Sequence, residues 1–267
     1  MSLIERLTRA TVCLHLAPHG LHGVLRRAGR PLPDSAFHLP IANPDASWEV
    51  ALAALRGWLE QHNEKKLPLA VSLASRWCAM LMVPWSGALL DRSSTQRFLH
   101  SQFGAVYGEG ARAWRLAADD APYGMPRLAC GIDAALLQGV QDAAAAHGRR
   151  CLSIEPIAGP AWRSIAGGKP AGSKPAAFAL VEAGRLLLAT GSGGRITALH
   201  SQPCGAAWGD ELDRAWQRWN LRAPQLDAIE QVALIDVSGV PQANVPERFV
   251  PIAVAGAAHL MREAAWA

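Results

Sequence analysis

No apolar run in the sequence approaches the roughly 20 residues that a membrane-spanning helix requires, because Arg, Pro or Gly interrupts each long stretch. Residues 1–9 include Glu5, and only a short apolar run precedes Pro18, a poor match to a secretory leader, so the expected location is the cytosol. Paired cysteines are missing too. Cys13, Cys78, Cys130, Cys151 and Cys204 are far apart, odd in number and never at metal-ligand spacing, which points to reduced, buried thiols. Charge clusters are nearly absent. The net charge of +4 comes from scattered arginines, and Arg149-Arg150 beside His147 is the nearest thing to a patch. That excludes a nucleic-acid footprint and leaves open a basic face for anionic lipid or an acidic partner tail. Ser72 and Ser75 lie outside any Gly-x-Ser-x-Gly elbow, so no hydrolase nucleophile is expected. Aromatics are few except for ten tryptophans, of which Trp58, Trp114 and Trp216 fall where a buried face is expected.

What is present is organised around 176–203. Three apolar runs, 177–181, 185–190 and 195–200, are joined by Glu182-Ala183-Gly184 and by Gly191-Ser192-Gly193-Gly194. Short glycine-bearing links between β-capable runs predict an antiparallel meander. Glu182-x-Gly184 admits two readings, a former phosphate cradle or a plain reversal needing φ > 0, and hairpin turns are by far the commoner.

The same order occurs earlier. Strands are expected over 11–16, 21–26 and about 35–39, then a helix capped by Asp45 or Ser47 with Trp48, Val50, Leu52, Leu55 and Leu59 at helical spacing. Residues 67–73 read as a strand buried on both faces, of the parallel kind. Residues 77–149 look like a separate unit: strand 78–83, helix from Ser86 to about Tyr107, strands 113–117 and 127–132, helix 134–147. The chain returns to a strand at 151–154 and a short helix bearing Ala161, Trp162 and Ile165. The strands 69–73 and 151–154 are expected in one sheet, which brings the ends of the inserted unit together. The Gly, Pro and Lys run ending at Pro175 reads as a linker. A helix over 209–219, strands 232–237 and 249–252 and a last helix 253–266 complete a second lobe.

This order resembles the actin-like ATPase superfamily, and within it the family of the type IV pilus assembly protein PilM and the cytoplasmic domain of the type II secretion protein GspL. The motifs that carry the resemblance are Cys78-Ala79-Met80-Leu81-Met82-Val83-Pro84-Trp85, which opens the inserted unit, and Cys151-Leu152-Ser153-Ile154-Glu155-Pro156, which returns from it. The likeness runs over nearly the whole chain. It implies an α/β, two-lobed actin-like (ribonuclease H-like) fold: a first lobe over 1–167 containing the inserted subdomain 77–149, a linker over 168–175, and a shortened second lobe over 176–267.

Active members of that superfamily hold nucleotide and its metal between the lobes with an Asp-x-Gly turn in each meander and a glycine-rich segment near the adenosine. Here His15 and Ala17 stand in the first turn. Glu182 and Gly184 stand in the second, followed by Arg185, and Ser238 and Gly239 stand in the third. The metal-side carboxylate and the close backbone approach are both lost, so hydrolysis is not expected and no cofactor is implied. His19 and His22 have ligand-like spacing without an acidic or Cys neighbour, and Asp119-Asp120 reads as a solvated loop. The resemblance implies a non-catalytic adaptor that grips the cytosolic tail of a bitopic inner-membrane assembly protein or an assembly ATPase, peripheral to that membrane and without nucleic acid. Trp77 and Trp85, flanking the first inserted strand, are candidate groove-edge residues against a core reading. The alternative is a divergent nucleotide-binding kinase or ATPase of the same fold, and a small-molecule sensor in the cleft is a third reading.

Overall fold

The computed structural model describes residues 10–252 apart from 29, 33, 63–65, 167–175, 193, 224, 225, 227, 241 and 243. The linker and the final helix expected from the sequence lie outside the described residues. In the first lobe, β1 (Ala10–Ala17) runs antiparallel to β2 (Gly20–Arg27), which also pairs with β3 (Arg30–Pro31) and β4 (Phe37–Pro40). On its other side β1 pairs in parallel with β5 (Leu69–Leu73), and β5 with β9 (Cys151–Pro156). The 69–73 and 151–154 strands therefore do share a sheet. All five residues of β5 are buried, as a strand covered on both faces requires.

One face of this sheet receives α1 (Trp48–Gln61), whose Leu52, Leu55, Trp58 and Leu59 pack on Val12, Leu14, Leu69 and Val71. Ser47, not Asp45, is the cap: its Oγ accepts from the amides of Glu49 and Val50 at 3.2 and 3.4 Å. Val50 points outward and is exposed. The strand expected at about 35–39 is β4 and starts at Phe37, as the Ser35 hydroxyl turns back and donates to the Leu32 carbonyl at 2.7 Å.

The inserted unit consists of β6 (Cys78–Val83), α2 (Arg92–Tyr107), β7 (Trp114–Ala118) and β8 (Arg127–Asp133), in a sheet of order β6-β8-β7. The helix expected from Ser86 begins six residues later. Ser86 caps a separate 3-10 turn over Gly87–Leu90, and Asp91 then starts α2 by accepting from the Ser94 amide at 2.8 Å. Next comes α3 (Ala134–Ala146), capped by Asp133. The sequence grouped this helix with the inserted unit, but its Leu136, Val140, Ala143 and Ala144 lie in the first lobe's core. Gly139 sits against Leu52, where a Cβ would meet its Cδ2 at 2.4 Å, so glycine is what lets α1 and α3 come this close. Arg149, read as part of a surface patch, is buried with its guanidinium over Trp58.

After α4 (Ala158–Ala166) the second lobe repeats the plan. β10 (Ala176–Glu182), β11 (Arg185–Ser192) and β12 (Arg195–Pro203) form the predicted meander, and β13 (Val232–Asp236) and β14 (Phe249–Pro251) add in parallel to give the order β12-β11-β10-β13-β14. α5 (Trp208–Asn220) buries Leu212, Ala215, Trp216 and Trp219 on this sheet, the face its spacing predicts. Gly191 is not a turn residue: it lies in β11 against the Trp162 ring, where a Cβ would come within 2.4 Å.

The inserted sheet joins the lobes. Ala79, Leu81 and Val83 face Leu99 and Phe103 of α2, while Met80, Leu128 and Cys130 point the other way into a cluster with Phe178, Leu187 and Ile196. Trp162 of α4 enters the same cluster. Burying a leucine or phenylalanine there stabilises by about 1.5–3 kcal/mol, so the cluster ties the two sheets firmly. Asp119, expected in a solvated loop, is half-buried. It accepts from the Leu128 amide at 2.8 Å and pairs with Arg195 of the second lobe at 2.8 Å.

Candidate functional site

Between the lobes lies a cleft of ≈ 330 Å³ lined by the ends of β1 and β10 and by the segment after β13. Of the residues singled out in the sequence, His15, Ala17, Glu182, Ser238 and Gly239 line it together. Gly184 sits in the adjoining reversal at φ +80°, a left-handed conformation in which glycine avoids the Cβ clash.

Strand register builds the first wall. His15 pairs with Ser72 on β5 and with His22 on β2, His22 pairs with His38 on β4, and Ser72 pairs with Glu155 on β9. One polar row, Glu155–Ser72–His15–His22–His38, thus crosses the sheet, and its three histidines face the cleft. His15 Nδ1 lies 2.9 Å from the Ser72 hydroxyl. The rings of His22 and His38 stack at 4.2 Å. Gly20 leaves them room, since a Cβ there would meet His38 Nε2 at 2.6 Å and His22 Nε2 at 3.0 Å. Burial, helped by the neighbouring His22, lowers the His15 pKa to about 3, against the opposing Ser72 contact. Burial and His38 lower that of His22 to about 4. Both are neutral near pH 7.

The second wall is Glu182. Each of its carboxyl oxygens lies 3.1 Å from the backbone N–H of Ser75, in the first lobe. Burial pushes its pKa up to about 7, opposed by the Ser75 contacts and by the charges of Arg185 and Arg76. The Arg185 guanidinium, which also lines the cleft, donates to the Ser201 hydroxyl at 3.1 Å. The third wall is closed on itself: Asp236 Oδ1 accepts from the amide and hydroxyl of Ser238 at 2.9 and 2.7 Å, and Gly239 takes φ +72°.

This donor set does not fit a nucleotide with its metal. Glu182 is the one acid among the cleft-lining residues, and it is buried, directed at the Ser75 amide and held toward its neutral form, which makes it a poor ligand for Mg²⁺. Among the described residues no group of His, Cys, Asp and Glu is arranged to hold a metal ion, His19 and His22 included. The sequence had missed His38 and Arg76, and had weighed Ser72 and Ser75 only as nucleophiles. His22 had been singled out only beside His19, and the structure instead sets it opposite His15, because the reversal falls at Pro18-His19.

Trp77 and Trp85 sit at opposite ends of β6. Trp77 packs on the first lobe's core, and its Nε1 donates to the Ala46 carbonyl at 3.1 Å. Trp85 lies against Tyr123, at 4.7 Å between rings, and Tyr123 is 76% exposed.

No protein-family model and no curated protein sequence matches the chain. Solved structures do. The fold is similar to the cytoplasmic domain of EpsL, an inner membrane component of the type II secretion system of Vibrio cholerae, with TM-score 0.55, 14% identity, and coverage of 94% of this chain and 92% of that one. It is similar to a Bacteroides thetaiotaomicron protein with an actin-like ATPase fold and unknown function, with TM-score 0.54, 12% identity and coverage of 89% and 85%. It is also similar to a chain of the PilM-PilN type IV pilus biogenesis complex, with TM-score 0.54, 13% identity and coverage of 85% and 81%. The chain therefore has the actin-like ATPase fold.

Proposed function

We propose that this chain is a non-catalytic scaffold of a type IV pilus or type II secretion assembly platform. It would sit in the cytoplasm at the inner membrane and bind the cytosolic segment of a membrane-anchored partner or an assembly ATPase. The observation that carries this reading is the cleft itself: the position where the fold would hold nucleotide presents histidines, and its one acid is directed at a backbone amide of the opposite lobe. Similarity of fold to EpsL and to the PilM-PilN complex supports the choice of machine. No helix among the described residues is long and apolar enough to cross a membrane.

In this reading the lobes are 1–167 and 176–267, joined by 168–175. The inserted subdomain within 77–149 is reduced to β6, α2, β7 and β8, because α3 packs into the first lobe. Trp85 with Tyr123, rather than Trp77, is the candidate partner-binding pair, since Tyr123 is open to solvent. The test is capture from the membrane fraction of the source cell, followed by titration with synthetic cytosolic tails of the bitopic proteins recovered. Binding of one tail, weakened at least about tenfold by W85A, is the expected result. Recovery of soluble enzymes alone, together with micromolar Mg-ATP binding (about −8 kcal/mol) in calorimetry, would favour the divergent enzyme instead.

A further inference from the structure

The cleft has more positive than negative chemistry. Arg76 and Arg185 line it, and among the described residues the ion pairs formed are Arg112–Glu109, Arg163–Glu155 and Arg195–Asp119, so neither cleft guanidinium is matched to a carboxylate. Glu182, near enough to feel both charges, has its oxygens directed at the Ser75 amide. The exposed imidazoles of His19 and His38 complete the rim. A volume of ≈ 330 Å³ is room for a small molecule. Two planar guanidiniums at a concave site recognise carboxylate or phosphate oxygens, and recognise them better where water is partly excluded.

We propose that the interlobe cleft is a metal-independent site for a compact dianion, of the phosphate or short-dicarboxylate type, held by Arg76 and Arg185, and that Glu182 takes up a proton from solvent as the anion enters. The step is non-covalent: the carboxylate becomes a carboxylic acid and the anion keeps its charge. Two negative charges in one partly buried site repel strongly, and protonation of Glu182 removes that cost. Its pKa of about 7 makes the proton readily available near neutrality. Other groups around it are set against the role. The Cys78 and Cys204 thiols are pushed up by burial and stay protonated, while His15 and His22 are pushed down and stay neutral. This inference goes beyond the scaffold reading and does not depend on it.

The test is calorimetry on the full chain without magnesium, with sulfate, a phosphate-like dianion that does not titrate in this range, in one arm and succinate in the other, at about pH 6 and about pH 8 and in buffers of different ionisation heat. One arm should bind at a single site, at least about tenfold more tightly at the lower pH, with net proton uptake. R76A and R185K should each weaken it about tenfold or more while leaving the melting temperature near wild type; Arg76 is exposed, so its removal leaves the fold intact. E182Q should still bind, with much of the proton uptake gone. No binding of either anion at ~10 mM, binding unchanged by both arginine variants, or undiminished proton uptake in E182Q would overturn the proposal.

Discussion

β1 and β10 hold equivalent places in the two lobes: each has an antiparallel partner on one side and a parallel one on the other, and each ends at the cleft. Their last polar side chains behave differently. His15 is satisfied inside its own sheet by Ser72, one strand away. Glu182 reaches across to Ser75, 107 residues distant in sequence. The first hairpin is self-contained, while the second clamps one lobe to the other. Both groups are buried and both are pushed toward their neutral forms, so their contributions to stability have opposite dependence on pH. Identical architecture can thus place an inert residue at one position and a proton-sensitive contact at the other.

The comparison can be broken first at the strand centres. Leu14 and Leu180 are fully buried on β1 and β10, but Leu14 lies in the first lobe's core and Leu180 in the cluster shared between lobes. Truncation to alanine should cost about 2–5 kcal/mol at either site, read by chemical denaturation. If the shared cluster couples the lobes, both variants unfold in one transition; two separate transitions in L14A would mean that the lobes are independent.

The pH dependence sharpens it next. The unfolded His15 takes a proton near pH 6.5 and the folded one only near 3, so stability falls as pH drops from 6.5. H15N should remove a loss on the order of 3 kcal/mol between about pH 6.5 and pH 4. Glu182 runs the other way. Its folded pKa of about 7 lies above the ordinary 4.5, so the folded state holds a proton that the unfolded state has lost, and stability falls as pH rises from 4.5 through 7. E182Q should match wild type near pH 4.5 and exceed it by about 3 kcal/mol at pH 8. Equal melting temperatures of E182Q and wild type at both values would show that the carboxylate is not buried in solution.

Much of this arrangement was readable before any coordinates, and the failures have identifiable causes. The meander of β10 to β12 was legible because apolar runs and glycine-bearing reversals agree with one another. The start of α2 was not, since Ser86 and Asp91 are both good caps and only packing decides which begins the helix. The membership of α3 was hidden because periodicity shows which side of a helix is apolar and not which lobe lies opposite. At the cleft, His15 and Glu182 were found from their places in the turns. The contact between Glu182 and Ser75 was beyond reach, as no local pattern links residues so far apart.

The smallest effect concerns the second polar contact between the lobes. Arg195 and Asp119 pair at 2.8 Å with side chains 23% and 29% exposed, whereas Arg112 and Glu109 pair within one turn at 79% and 78% exposure. Water screens the latter pair almost fully, and its geometry is local, so E109Q should change stability by less than about 0.5 kcal/mol. Asp119 also anchors the Leu128 amide, so D119A removes two contacts at once, and D119N separates them by sparing an oxygen that can accept from that amide. D119A should cost about 1–2 kcal/mol and D119N roughly half of that, with the remainder assigned to the pairing with Arg195. A double cycle with R195A measures that remainder directly: a coupling of zero would leave Glu182 as the polar clamp between the lobes and strengthen the contrast between its hairpin and that of His15.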